Sequence, residues 1–199
     1  MSTTIKRDFT FQAGVYYEDT FIMNIYNLDL TMTVETDSIR EQNIAMDRIK
    51  YFLHDCVENS VFVDSNEKKV IEKYVTAGLK VCTLPEEPYD QIVTIALLSK
   101  INAIAEGRLI ISDIVLSSEL SDGVKFVYDY ESVLHASPFD QGWWMESNSC
   151  MNDINKTQNK KDKIVKLVKS INDWSVVGLE WKEKSAKSAE IIFNPDHVK

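Results

Sequence analysis

Six glycines in 199 residues leave little scope for a glycine-rich phosphate cradle, and the chain carries neither G-x-x-x-x-G-K-[ST] nor G-x-G-x-x-G. G-x-S-x-G, H-E-x-x-H and a calcium-binding loop are absent too. The three histidines, His54, His135 and His197, are isolated, so a histidine-built metal or proton-transfer centre needs remote positions to converge. Cysteine is scarce: Cys56, Cys82 and Cys150 are far apart in sequence, odd in number and without CxxC spacing. That pattern opposes a disulfide framework and a zinc site, and suits three ordinary buried or half-buried thiols in a reducing cytoplasm. No run approaches the ~18 uncharged residues that a membrane span needs. The start, MSTTIKRDFTFQ, has no apolar core of the secretory kind. The expectation is a cytoplasmic chain with no membrane contact, no metal and no cofactor.

What is present suits a folded core. Hydrophobic residues make up 44% and charged residues 27%, close to globular averages, and the length fits one domain or one domain with an appendage. Charge is split along the chain. Residues 155–199 hold ten lysines against six acids, a surplus of +4, so the net −9 leaves −13 on the other 154 residues. Lys160, Lys161, Lys163, Lys166 and Lys169 form the densest basic run. They are read as a segment that docks on the acidic body of the same chain or a neighbour, or else as a phosphate-binding surface. The acidic body itself repels nucleic acid.

Periodicity orders the elements. In FIMNIYNLDLTMTVE (21–35), Tyr26, Leu28, Leu30, Met32 and Val34 alternate with polar residues, which predicts a strand with one buried face. A shorter strand is expected over FTFQAGVYY. Ser38 followed by Glu41 is a capping-box signature that opens a helix over about 39–57, with Ile49, Phe52, Leu53 and Cys56 on its apolar face. VFV is a short strand; the next helix, capped by Asp64 or Glu67, buries Val70, Ile71, Tyr74 and Val75 and stops at Gly78. LKVCTL is a further strand, and RLIISDIVLSSE and VKFVYDY form a hairpin around an Asp-Gly pair. Asp113 breaks an otherwise apolar strand face and is expected to pair with Arg108, Lys100 or a backbone amide.

Between the fourth strand and the hairpin lies LPEEPYDQ, followed by a helix that is apolar on nearly all sides up to Gly107. Pro88 fits the first helical position, and Glu86, Glu87 and Asp90 suit the positive end of the helix dipole. These acids are therefore either a structural helix start or a ligand contact. Asp90 and Glu106 stand at opposite ends of about 18 residues, roughly 25 Å apart, too far to share one metal. Trp143 and Trp144, with Phe139 and Tyr130 nearby, form the densest aromatic group. Packing is one reading; the other buries one indole and presents its neighbour to a partner or ligand.

The fold expected is α+β: a mixed sheet with three interspersed helices, one central and buried, plus a C-terminal helix-hairpin unit. The main body covers 1–140 and an irregular loop 141–156. An αββ extension over 157–199 packs on the body, with Ile164, Leu167, Val168 and Ile171 inward and a final hairpin of SVVGLEW with AEIIFNP.

SIREQNIAMDRIKYFLHDCVENSVFV, then LPEEPYDQIVTIALLSKINAIAEGRL, then the GWW loop resemble a group of short uncharacterised proteins of tailed bacteriophages, particularly large phages of marine cyanobacteria. The resemblance covers residues 20–145. It implies action inside an infected bacterial cell and supplies no catalytic residue. With no catalytic constellation in the chain, the leading expectation is a non-enzymatic binding or assembly protein that self-associates or holds a protein partner. The alternatives are a small enzyme acting on a nucleotide or other phosphate metabolite, and a nucleic-acid-binding protein using the basic segment with Trp174 or Trp181 stacked on bases.

Overall fold

The computed structural model describes residues 3–129, 139–152 and 174–181. It is an α+β fold around one mixed sheet of six strands. In chain order the elements are β1 (Thr3–Tyr17), β2 (Thr20–Val34), α1 (Ile39–Tyr51), β3 (Ser60–Asp64), α2 (Lys68–Thr76), β4 (Lys80–Leu84), α3 (Asp90–Ala105), β5 (Leu109–Ser118) and β6 (Lys125–Asp129). Across the sheet the order is β4-β3-β1-β2-β5-β6. The β1–β3 and β3–β4 pairs are parallel; the other three are antiparallel.

β1 is longer than its apolar stretch suggests and pairs with β2 along its whole length, from Thr3 opposite Val34 to Tyr17 opposite Thr20. Their two-residue turn places Glu18 and Asp19 at φ 45° and 59°, the left-handed geometry a tight hairpin demands and glycine or asparagine usually supplies. Tyrosines brace it instead: Tyr16 donates to Asp19 at 2.8 Å and Tyr17 to Glu18 at 3.0 Å.

Ser38 caps α1 as expected, its hydroxyl accepting from the Glu41 amide at 3.3 Å. The reciprocal arm differs. The Ser38 amide donates to Thr36 Oγ1, which in turn donates to the Glu41 carboxylate at 3.2 Å. Beyond Tyr51 the helix widens into a π turn over Phe52–Val57, which buries Phe52, Leu53 and Val57.

α1, α3 and residues 139–152 cover one face of the sheet, where Tyr26, Leu28, Leu30 and Met32 of β2 meet Ile49, Phe52, Leu98 and Ile101 in a single core. α3 is buried almost all round, as an all-apolar helix must be. α2 packs on the opposite face, over β3 and β4, where Val61, Val63, Ile71 and Val81 form a second, smaller core, and through Tyr74 it reaches the hairpin end of β1 and β2. Val75 turns outward there, contrary to the helical pattern read for it.

Three further expectations change. SVVGLEW is not a strand: Trp174–Val176 is a 3-10 turn, and the residues to Trp181 run without regular structure. Asp113 faces outward because Ser112 is an extra residue opposite the Thr31–Met32 step, a bulge that re-aims the next side chain. Its partner is the Ser112 hydroxyl at 3.0 Å, in place of Arg108 or Lys100. α3 begins at Asp90, so Pro88 precedes the helix and does not open it; the Tyr89 amide bonds back to Glu87 O at 2.8 Å and closes a turn first. Tyr130, His135, the lysine-bearing helix at 157–173 and the AEIIFNP strand lie outside the described residues.

Candidate functional site

β2 shows where the molecule leaves a surface unfinished. Side chains alternate across a strand, so the even residues from Asn24 to Met32 point to the helices and the odd ones point away. The odd set starts apolar, and Phe21, Met23 and Ile25 are 45%, 50% and 38% exposed. The Phe21 ring lies on the bare backbone of Gly14, where a Cβ would come within 2.4 Å of it. Its other neighbour is Tyr74 of α2, 6.1 Å between ring centres. This places an apolar patch at the rim of α2, on a face of β1, β2, β5 and β6 that the described helices touch only through Tyr74, at the hairpin end against Tyr16 and Phe21.

Acids lie further along the same face. Asp8 stands directly opposite Asp29, and Asp113 opposite Asp129, all on the outer side. Lys6 and Lys125 are the basic side chains of the same face, and Thr10 donates to Asn27 at 3.0 Å between the two zones. Like charges directly opposed across a strand pair cost stability. The outer face therefore joins exposed apolar surface to a negative field. Among the described residues no group of three or more histidine, cysteine or acidic side chains is placed to hold a metal ion.

The acids after Leu84 sit elsewhere, at the N-terminal end of α3. Glu86 and Glu87 are exposed and Asp90 is half-buried. Glu87 accepts from the Tyr89 hydroxyl at 2.6 Å, and this bond to a carboxylate raises the pKa of Tyr89. Asp90 accepts from Ser118 at 2.6 Å. Ser118 stands opposite Tyr26 on the inner face, and beside them two buried polar groups lack a well-formed hydrogen bond: the Tyr26 hydroxyl and the Asn24 side-chain nitrogen. The Asn24 amide points towards the phenol oxygen, which favours the phenolate, but burial and then Asp90 outweigh it and push the Tyr26 pKa up.

Trp143 and Trp144 are both buried, so neither indole is presented at the surface. Trp143 donates to Thr83 O at 2.6 Å and Trp144 to Phe139 O at 2.8 Å. The Trp144 ring lies against Gly142, where a Cβ would stand 2.4 Å from it. Beside Trp143 is Lys100, fully buried in α3, donating to the carbonyls of Trp143 and Glu146 at 2.9 and 2.7 Å. Ten residues of helix separate Lys100 from Asp90, about 15 Å. The acids and the tryptophans thus do not line one pocket. Lys160, Lys161, Lys163, Lys166 and Lys169 lie outside the described residues.

Two features are not legible in the sequence. The first is a gathering of the thiols: burial pushes Cys82 well above the ordinary thiol range, with Cys150 and Cys56 close enough to influence it. The second is a clasp at the far end of α3. Arg48 is buried between the rings of Trp174 and Trp181, 4.8 and 3.8 Å from their centres, and pairs with Glu106 at 2.8 Å. Trp181 donates to the same carboxylate at 2.9 Å, and Arg40 donates to the Trp181 carbonyl. Arg48 at one helical position and tryptophans more than a hundred residues later carry no shared pattern, so only the fold reveals the pairing.

No family model matches the sequence, and no curated protein matches it. Among solved structures, an uncharacterized protein from Wolinella succinogenes is similar at 8% identity, over 65% of this chain and 99% of that one, with a TM-score of 0.45. The 6-pyruvoyl tetrahydropterin synthase of Plasmodium vivax is similar at 8% identity over 64% of this chain and 97% of its own, TM-score 0.41. The Plasmodium falciparum synthase follows at 11% identity over 64% and 96%, TM-score 0.39. No helix of the described residues is long and apolar enough to cross a membrane.

Proposed function

We propose that the chain is a non-enzymatic binding protein whose working surface is the uncovered outer face of the sheet. Its occupant is a protein surface with an apolar centre inside a rim of lysine and arginine. One observation carries this reading: Phe21, Met23 and Ile25 stand exposed on a regular central strand, with Asp8, Asp29 and Asp113 further along the same face beyond Thr10 and Asn27. Contiguous exposed apolar side chains with charge on the same face are what contact surfaces present, and complementary charge sets encounter rate and choice of partner. If the chain is of the tailed-phage kind it resembles, such a partner belongs to the infected cell.

The test is a benzophenone amino acid at position 23, with the same group at position 72 on the exposed side of α2 as control. Position 23 is expected to give a discrete hetero-adduct in cells and position 72 none. Combining Asp29→Lys with Asp113→Lys should lower the yield about tenfold. A crosslink closing within the chain onto its own lysine-rich segment, or an adduct of two copies, overturns the reading.

The alternative of a small enzyme acting on a nucleotide or other phosphate metabolite is supported by the Tyr26 hydroxyl and Asn24 amide left unbonded beside Asp90. A thermal-shift screen with nucleotides and divalent cations decides it. A ligand whose shift is lost in Asp90→Asn favours the enzyme, and a flat screen removes it.

A further inference from the structure

The sheet has edges as well as faces, and they are not treated alike. At β4 the Thr83 amide donates to Met151 O at 3.1 Å and Asn152 donates to Val81 O at 3.2 Å, so a later segment covers that edge. At the other side β6 is only five residues long. β1 is different. β3 touches it only at Gly14 and Val15, and Asn59 adds bonds to Gln12. Among the described residues nothing pairs with its outer edge from Thr3 to Phe11. That stretch, TTIKRDFTF, contains no proline and no bulge; of the devices that blunt an open edge it carries only charge, Lys6 on the outer face and Arg7 on the inner.

We propose that a second copy of this chain pairs there, β1 against β1, antiparallel about a two-fold axis through Arg7. The choice of register follows from side-chain parity and charge. Residues opposite one another must share a face, so the axis passes through a residue rather than between two. Centred on Lys6, the pairing sets Lys6 against Lys6; centred on Asp8, it sets Asp8 against Asp8. Centred on Arg7, Lys6 of each copy meets Asp8 of the other on the outer face, and Thr4 meets Thr10. Asp8, already opposed by Asp29, gains an opposite charge. Ile5 meets Phe9 on the inner face. Arg7 meets its own copy at the axis on that same inner face, so this register, like the other two, carries one like-charge pair, and the two Lys6–Asp8 pairs decide between them. The Arg7 guanidinium lies 5.9 Å from the Phe9 ring. The product is one continuous sheet with both apolar-acidic outer faces on the same side. The inference extends the proposed function, because a dimer built this way engages a partner twice, but it uses a different surface and stands without it.

Charge reversal tests it through light scattering on a sizing column from 1 to 100 μM, roughly the range in which such interfaces form. The wild type is expected at twice 22.8 kDa. Lys6→Asp alone and Asp8→Lys alone should each weaken association roughly tenfold or more, since each turns two opposite-charge pairs into like-charge pairs. The combined Lys6→Asp and Asp8→Lys chain restores the pairs in swapped order and should recover the dimer. All these side chains are exposed, and circular dichroism of each variant confirms the fold. A wild type that stays monomeric overturns the proposal, and hydrogen exchange then separates two reasons. Protected amides over residues 4–10 mean that the chain's own later residues pair the edge; unprotected amides mean that the edge is open. A dimer indifferent to all three variants overturns it equally.

Discussion

The two faces of the sheet are made by the same strands and end in opposite states. On β2 the inward residues Tyr26, Leu28, Leu30 and Met32 are at most 1% exposed, while Phe21, Met23 and Ile25, one position out of phase, are 38–50% exposed. Local preference cannot separate them, since both sets are apolar or aromatic on one regular strand. What separates them is supply: α1, α3 and residues 139–152 all fall on one side, while on the other α2 covers β3 and β4 and reaches β1 and β2 only through Tyr74 at their hairpin end. Burial of a side chain is a property of its neighbours. On the proposed function, the exposed apolar set marks where a partner sits.

The largest effect that tests this contrast is a pair of truncations. Leu30→Ala opens a cavity under two helices and should cost about 3–4 kcal/mol in urea unfolding. Met23→Ala removes a side chain already in water and should cost less than about 0.5 kcal/mol. Comparable costs would mean that the outer face is covered in the isolated protein, and the proposed binding surface would be lost with it.

Tyr26→Phe separates burial from bonding on the inner face. A buried hydroxyl with no partner is better absent, so the change should leave stability unchanged or raise it by up to about 1 kcal/mol. A clear loss would show that a bound molecule satisfies the hydroxyl and would favour the enzyme reading.

The alkaline limb of stability compares the faces in another way. Burial pushes the Cys56 thiol up to about 11 and raises Tyr26, whereas at the hairpin tip the bond to Asp19 raises Tyr16 to about 12. In each case the folded state keeps a proton that the unfolded chain has begun to release. Stability is therefore intact below about pH 9, the unfolded thiol value, and falls as pH rises through 9 to 11 and beyond. Cys56→Ser should remove part of the fall that begins near pH 9, the fully buried Cys82 keeping the rest, and Tyr16→Phe should flatten the part above pH 10. A curve level to pH 11 in the wild type would contradict the burial assigned to Cys56.

Much of this architecture is legible in the sequence, and the failures have physical causes. The order of strands and helices through β6 follows from switches between two-residue and helical periodicity, and Ser38, Gly78 and the Asp-Gly pair mark their ends where expected. The length of β1 does not show, because of Thr3, Ile5 and Arg7, the residues that Thr3 to Asp8 places on the inner side, only Ile5 is apolar. SVVGLEW alternates like a strand, yet Arg48 fixes Trp174 and Trp181 from a helix more than a hundred residues earlier. For the site, the sequence does carry a signal, one that a one-sided reading of β2 misses. FIMNI is apolar in both phases of its alternation, unlike NLDLTMT that follows, and a strand apolar on both sides has two surfaces to cover.

The smallest effect concerns the acidic rim. Asp8 and Asp29 face each other in water, and no described side chain lies between them with an opposite charge across their strand pair. Asp29→Asn keeps the shape and removes one charge, so the monomer should gain about 0.2–0.5 kcal/mol at low salt. Because both groups are exposed, the gain should vanish in 1 M salt, where charges are screened within about 3 Å. It should also shrink as protein concentration rises, since Lys6 of a second copy would already relieve Asp8. A gain that survives high salt would assign it to strand preference and remove the electrostatic account of this face. One that ignores concentration would leave the two-fold pairing of β1 without its charge argument.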